Sequence, residues 1–272
     1  MLALRSRKST LLRTAIARAY VRIKGGNREP SWILWEVILP LLMISSVVYA
    51  YHSLGAPPKY IGFVILGGAM MSFWFNVLWG MGTTLYWEKE TGNLEAFMVS
   101  PAPIEGLLLG MALGGALNTL TRALSMIVMG ILFFDAKFDV NAIPSALVIF
   151  LLTLSALYTL GMGLASLYLM YSRSGWRASE LLQEPIMFLS GLYYPLNVLP
   201  MMLQVIASLL PLAIGLDGIR KTLIIGKKIW DLGPHVLSLI TMTVIFTLIA
   251  KRLLKYMEHK AKKEGRLILR WM

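Results

Sequence analysis

Fourteen acidic residues, three histidines and no cysteine are the whole stock from which this 272-residue chain could build a metal or hydrolytic centre. The lack of cysteine removes disulfides, thiolate metal sites and thiol nucleophiles. Asp135 and Asp139, four residues apart, are a weak magnesium pair without a third ligand, and solvated loop acids are the plainer reading. No G-x-x-x-x-G-K-[ST] is present; Gly226-Lys227 lacks the upstream glycine and the following hydroxyl residue. Neither H-E-x-x-H nor G-x-S-x-G occurs. The chain thus carries no recognisable hydrolytic or transfer site and binds no metal or cofactor of its own. Any energised work must draw on an ion gradient or a partner.

Other chemistry-bearing residues lie inside apolar runs. Gly106, Gly110, Gly114, Asn118 and Arg122 recur every fourth residue and form one helical face. Its glycines allow another helix to approach closely. A charge at mid-membrane depth costs about 2.5–3.5 kcal/mol on insertion scales, so Arg122 must face the bundle or a wet cavity. It could pair with freed backbone carbonyls or meet an anionic group on a substrate, and spacing leaves both open. The stretch Phe73-Trp74-Phe75-Asn76-Val77-Leu78-Trp79 is too central in its run for an interfacial aromatic belt. Trp74, Phe75 and Asn76 either pack the core or line a pathway. Tyr193 and Tyr194, beside Pro195, fit an outer gate.

The elements that hold these residues follow from composition. Hydrophobic residues make up 57% of the chain and charged ones 15%, far from the soluble average. About 20 apolar residues cross the hydrocarbon core. Ile33–Tyr51, Ile61–Tyr86, Leu107–Phe134, Ile143–Tyr171 and Leu232–Ala250 each suffice. A sixth run, Ile186–Leu216, contains Pro195, Pro200 and Pro211. It reads as a spanning helix to about Pro195 followed by short re-entrant helices, because proline interrupts a helix interior. Such backbone is tolerated at depth only when protein covers it or it lines a cavity. The expected fold is an all-α membrane protein of six transmembrane helices. Its domains are a basic segment 1–30, a six-span domain 31–254 with a re-entrant segment 196–226, and a basic tail 255–272.

Charge orients this bundle. Segments 1–30, 87–106, 172–182 and 251–272 hold nineteen Lys and Arg, and the opposite loops hold six, Arg220 and Lys221 among them. The positive-inside rule then puts both termini in the cytoplasm of a multi-pass cell-membrane protein. The formal charge of +12 marks a membrane face and is no nucleic-acid footprint. Leu12, Ile16, Ala19, Tyr20 and Ile23 share one face of an amphipathic helix, with Arg18 and Arg22 on the other side; it is expected to lie on lipid at the inner leaflet. Glu36, near the start of the first span, is favoured by the helix N-terminus and needs no further role. Because the first apolar run begins only after residue 30, no cleaved signal peptide is expected.

The loop after the second span reads Tyr86-Trp87-Glu88-Lys89-Glu90-Thr91-Gly92-Asn93-Leu94-Glu95-Ala96-Phe97-Met98-Val99-Ser100-Pro101. It resembles the cytoplasmic signature of type-2 ABC exporter permeases: Glu-basic-Glu, a glycine, then Glu with apolar residues, ending Ser/Thr-Pro. Asn93 departs mildly from the small hydroxyl residue usual there. The proline ladder Pro195, Pro200, Pro211 resembles the segment between the family's fifth and sixth helices. The resemblance implies that loop 87–106 couples to a separate cytoplasmic P-loop ATPase subunit, which binds ATP and Mg²⁺, through Glu88, Glu90, Gly92, Leu94, Glu95, Phe97 and Met98. It also implies a second permease subunit, identical or homologous. The cargo would be a lipid, drug or glycolipid-like molecule moved by alternating access. Leu94, Phe97 and Met98 share a helical face suited to a groove on another protein.

Two rival classes are weaker. An ion-coupled secondary transporter would show inverted repeats and an acid at mid-depth. A membrane-embedded transferase using metal-bound diphosphate would cluster acids on one face. Neither pattern is visible.

Overall fold

The computed structural model describes residues 2–26, 28, 30–169 and 174–264. The side chain of Glu36, residues 172 and 173 of the expected cytoplasmic loop, and residues 265–272 of the tail lie outside the described residues. Helices account for the architecture, with no strand among the described residues. They are α1 (Leu2–Gly26), α2 (Pro30–Ser53), α3 (Lys59–Phe75), α4 (Thr84–Glu90), α5 (Asn93–Val99), α6 (Ile104–Phe134), α7 (Ile143–Tyr168), α8 (Ser174–Leu189), α9 (Met201–Ala207), α10 (Pro211–Leu223) and α11 (Gly233–Lys263).

Four helical stretches are long and apolar enough to cross a membrane: Lys59–Glu90, Ile104–Phe134, Val140–Tyr168 and Ile229–Ala261. The bent pair α9 and α10, meeting at 96°, makes a fifth if the two count as one crossing. In α2 the stretch Val37–Ser53 is apolar but shorter. Lys59–Glu90 runs as one rod because a π-helical turn, Asn76–Gly82, joins α3 to α4. The hydroxyls of Thr83 and Thr84 donate to the carbonyls of Trp79 (2.6 Å) and Gly80 (2.8 Å), which absorbs acceptors where the register changes. The core gathers around this rod. Phe73, Trp74, Leu78, Leu107, Leu108 and Ile149 are all buried.

The proline-rich run departs from expectation. The helix expected to reach Pro195 ends at Leu189, and the chain turns at Gly191, whose φ of 61° suits a residue without Cβ. Pro185 sits within α8. Pro200 and Pro211 stand at the starts of α9 and α10, where a missing N–H costs nothing. These two prolines begin helices more than they break one.

The packing of α1 adds a contact that its own spacing did not specify. Leu12, Ile16 and Tyr20 are exposed, and the buried stripe is Ala15 and Ala19. That stripe packs on the glycine face of α6, in parallel register over four turns. A Cβ at Gly106 would fall 3.0 Å from the Leu11 carbonyl oxygen, one at Gly110 2.5 Å from that of Ala15, and one at Gly114 2.9 Å from that of Ala19. Asn118 continues the series, donating its side-chain N–H to the Arg22 carbonyl at 3.2 Å. The reason is steric: three glycines open a groove that admits a backbone flanked by alanines. The expected apolar face stays outward because α1 is held by its small residues.

The loops group at two ends. Asp139 N–H donates to the Leu223 carbonyl (2.8 Å), and Phe138 packs over Gly62, so the segments around residues 54–62, 135–142 and 223–232 share one end. The α4–α5 connection lies at the other end of the rod, beside α1, through the ion pair of Arg18 with Glu88.

Candidate functional site: a loop elbow and a buried arginine clamp

The α4–α5 elbow forms because Gly92 adopts φ 75° between two seven-residue helices. Leu94 then drops fully into the bundle core, with Phe97 and Met98 half-buried behind it. The apolar face expected to seat in another protein is thus turned onto this chain's own helices, since the nearest apolar surface is intramolecular. Glu88 is largely covered and pairs with Arg18, whose Nε also lies 3.3 Å from the Met111 sulfur. What remains outward is Glu90, Glu95 and Ala96, with Trp87 half-exposed and Val99 89% exposed. The elbow therefore presents an acidic, partly apolar knuckle braced on α1 and the core.

The intramembrane residues divide into two groups. Trp74 is fully buried and Phe75 half-buried. Asn76, at the π-turn, accepts from the Tyr158 hydroxyl at 3.0 Å and packs over Gly115. Arg122 is half-buried on α6. Asn76 thus ties the π-turn to α6 and α7, and Asn118 ties α6 to α1. At the opposite end, the Tyr51 hydroxyl donates to the Tyr193 carbonyl (2.6 Å), the Tyr193 hydroxyl lies 3.4 Å from the Met71 sulfur, and the Tyr194 hydroxyl donates to the Phe188 carbonyl. Tyr193, Tyr194 and Pro195 form a pinned turn between α8 and the helices that follow.

Arg220 is the residue that pins it. Counted from sequence among the loop cations, it is instead on α10 and only 3% exposed. Nη1 donates to the Gly191 carbonyl at 2.7 Å, Nη2 to those of Leu192 and Phe63 (2.9 Å to Phe63), and Nε to Phe63 at 3.3 Å. The guanidinium carbon lies 3.4 Å from the centroid of the Phe63 ring, a cation–π contact in a desolvated setting. Asp217, one turn earlier, pairs with Lys221 and accepts from His235 Nε2 at 2.8 Å. No group of three or more metal-ligating side chains occurs among the described residues.

Against this geometry, comparison with known proteins is decisive at the family level. The model of the ABC-2 type transporter family matches residues 10–224. The chain belongs to the ABC-2 type transporter family. The matched span takes in α1 from residue 10 onward, the elbow and α10, and so includes both sites just described. The chain is also similar to the inner membrane transport permease YadH of Escherichia coli (strain K12) and its counterpart in Shigella flexneri. Each is 24% identical over 162 residues, covering 60% of this chain and 62% of the relative. The match thus spans less than two thirds of those relatives. Subunits of the ABC-2 family are transmembrane components without catalysis of their own, and they generally work with a separate ATP-binding subunit.

In this ABC-2 permease the sequence-derived site residues do not form one cluster. Glu88, Glu90, Gly92, Leu94, Glu95, Phe97 and Met98 are together at the elbow. Trp74, Phe75 and Asn76 lie midway along the rod Lys59–Glu90, at the junction of α3 with the π-turn, and Asn118 and Arg122 lie midway along α6. Tyr193, Tyr194, Pro195, Pro200 and Pro211 surround the bent pair. Arg220 escaped notice, although a signal existed. It stands four, seven and eight residues after Leu216, Ala213 and Leu212, all fully buried, so helical spacing puts its side chain on the inner face.

Proposed function

We propose that this chain is the membrane half of an ATP-driven exporter that moves an amphipathic lipid, drug or glycolipid-like cargo across the cell membrane. In this reading α2, the rod α3–α4, α6, α7, α8 and α11 are six crossings, with α9–α10 re-entrant and both termini cytoplasmic. Two such subunits flank a pathway. Each takes a P-loop ATPase at its elbow, and ATP and Mg²⁺ stay on that partner. The outward stripe of α1, Leu12, Ile16 and Tyr20, contacts lipid of the inner leaflet.

The observation that carries the reading is the elbow's bracing. Leu94 is an anchor in the core and Glu88 is tied to Arg18, so a push on the outward knuckle reaches both the spanning rod and α1 as a rigid displacement. An exposed acidic knuckle with Val99 at its edge suits a partner groove with basic rims. The test uses Glu90→Arg, Glu95→Arg and Val99→Asp combined, which leave Leu94 in place. The triple variant is expected to fold and reach the membrane while capturing at least ~10-fold less ATPase subunit, as loss of a few charge contacts and one apolar contact would give. Undiminished capture together with undiminished transport would remove the elbow from the coupling path.

A further inference from the structure

A cavity of about 500 Å³ opens between the start of α3, the 195–197 turn and α10, lined by Lys59, Tyr60, Phe63, Asn197, Arg220 and Lys221, with Asp217 and apolar residues completing the wall. We propose that this cavity binds the phosphate group of an amphipathic phosphate ester.

Charge is the first argument. Three cations, Lys59, Arg220 and Lys221, face one carboxylate, Asp217, and that carboxylate is already engaged by Lys221 and His235. Arg220 is buried, and its contacts are three carbonyls and an aromatic ring. Carbonyl dipoles satisfy hydrogens but leave the unit charge in place. A low-dielectric wall then focuses a positive potential into the cavity. Arginine and lysine together are the usual recognition set for a phosphate oxyanion.

Shape is the second argument. The volume is far larger than one phosphate needs and falls in the range of small-molecule pockets. The apolar walls are the rings of Tyr60 and Phe63 with Pro195, Leu196, Ile224 and Ile225. Tyr60 stacks on Tyr51 at 5.7 Å, so the aromatic wall is held in place. A phosphate with an attached glycerol, sugar or acyl portion fills both halves of such a site. Lys59 is exposed at the rim and Lys221 half-buried, which leaves a route of entry. The inference deepens the transport reading, on whose orientation it rests for placing the cavity at the outer end. The binding measurement itself requires neither the ATPase nor any orientation, so the two readings fail separately.

The experiment uses the full chain purified in detergent, titrated with dihexanoyl-phosphatidylglycerol, dihexanoyl-phosphatidylcholine, glycerol 3-phosphate and glycerol. The comparison protein is Lys59→Gln/Lys221→Gln, with Lys137→Gln as a control at the same end but outside the cavity. The phosphatidylglycerol is expected to bind the wild type and the control alike and the double variant about 10-fold or more weakly, as loss of charge-assisted contacts gives. Phosphatidylcholine, whose phosphate is internally neutralised, and glycerol are expected to bind weakly. Comparable binding of glycerol 3-phosphate would support the phosphate site with a soluble source, and its absence would support a lipid source. Binding of phosphatidylglycerol no tighter than phosphatidylcholine, or unchanged in the double variant, would overturn the proposal.

Discussion

Arg220 takes on a task that helix geometry creates. The carbonyls of Gly191 and Leu192 follow the C-terminus of α8, where acceptors lack partners within the helix. The Phe63 carbonyl on α3 accepts from the same guanidinium, so one side chain bonds the turn, α3 and α10 together. A cation beyond a helix C-terminus is also favoured by the helix dipole. Replacing Arg220 by Met keeps the bulk and strands the Gly191 and Leu192 carbonyls, while the Phe63 carbonyl keeps its bond within α3. Each stranded buried acceptor costs roughly 1–3 kcal/mol. The variant is therefore expected to unfold at a clearly lower temperature in detergent, followed by intrinsic tryptophan fluorescence. Arg220→Lys is expected to recover only part of the loss, because one ammonium lacks the planar fork that reaches several carbonyls. A melting temperature for Arg220→Met equal to wild type would show that the clamp contributes nothing to the fold. Tests of this kind separate Arg220 from Arg122, which drew attention from sequence because it lies inside an apolar run. Arg220 drew none because its neighbours Lys221 and Asp217 made that stretch look like a loop.

At the scale of elements, the central pairing is α1 with α6. Gly110 and Gly114 set the distance, and a larger side chain at either would meet the α1 backbone. Overpacking of this kind typically costs about 1–3 kcal/mol. Gly110→Leu is expected to release α1, read as faster proteolysis within residues 2–26 in detergent, with Leu113→Ala, an exposed position on the same helix, unchanged. Equal cleavage rates in both variants would mean that α1 is held elsewhere. The glycine spacing was legible in the sequence as a groove, and the groove exists. Its occupant was not legible, because spacing on α6 states that something may approach and carries no information about what. The same limit acts at α5. Periodicity identified Leu94, Phe97 and Met98 as one apolar face, but a face has two candidates to bury it, a partner or the chain's own bundle. The apolar runs behind four long helices were readable because about 20 residues of one character leave few alternatives. The start of α10 was not legible because proline penalises a helix interior and favours its first turn, and composition does not separate the two.

For the whole molecule, orientation rests on the uneven distribution of basic residues, nineteen on one set of segments and six on the other. The structure groups the segments near 54–62, 135–142 and 223–232 at one end, and these carry four of the six, Lys59, Lys137, Lys227 and Lys228, while Lys221 sits on the last turn of α10 beside them and Arg220 turns inward. An even number of crossings follows if the elbow and both termini share the other end. The absence of cysteine from the sequence makes this directly measurable, since a single introduced thiol reports without background. Glu95 in the elbow and Lys227 after α10 are both exposed, at opposite ends of the bundle. Neither forms an ion pair among the described residues, so substitution there leaves the clamp and the Arg18–Glu88 pair intact. In intact cells a membrane-impermeant maleimide is expected to label Lys227→Cys, and to label Glu95→Cys only after the membrane is permeabilised. The reverse pattern would invert the molecule, placing the elbow out of reach of any cytoplasmic ATPase and the cationic cavity at the inner leaflet. Labelling of both thiols in intact cells would instead break the rod Lys59–Glu90 as a crossing, and the six-span reading with it.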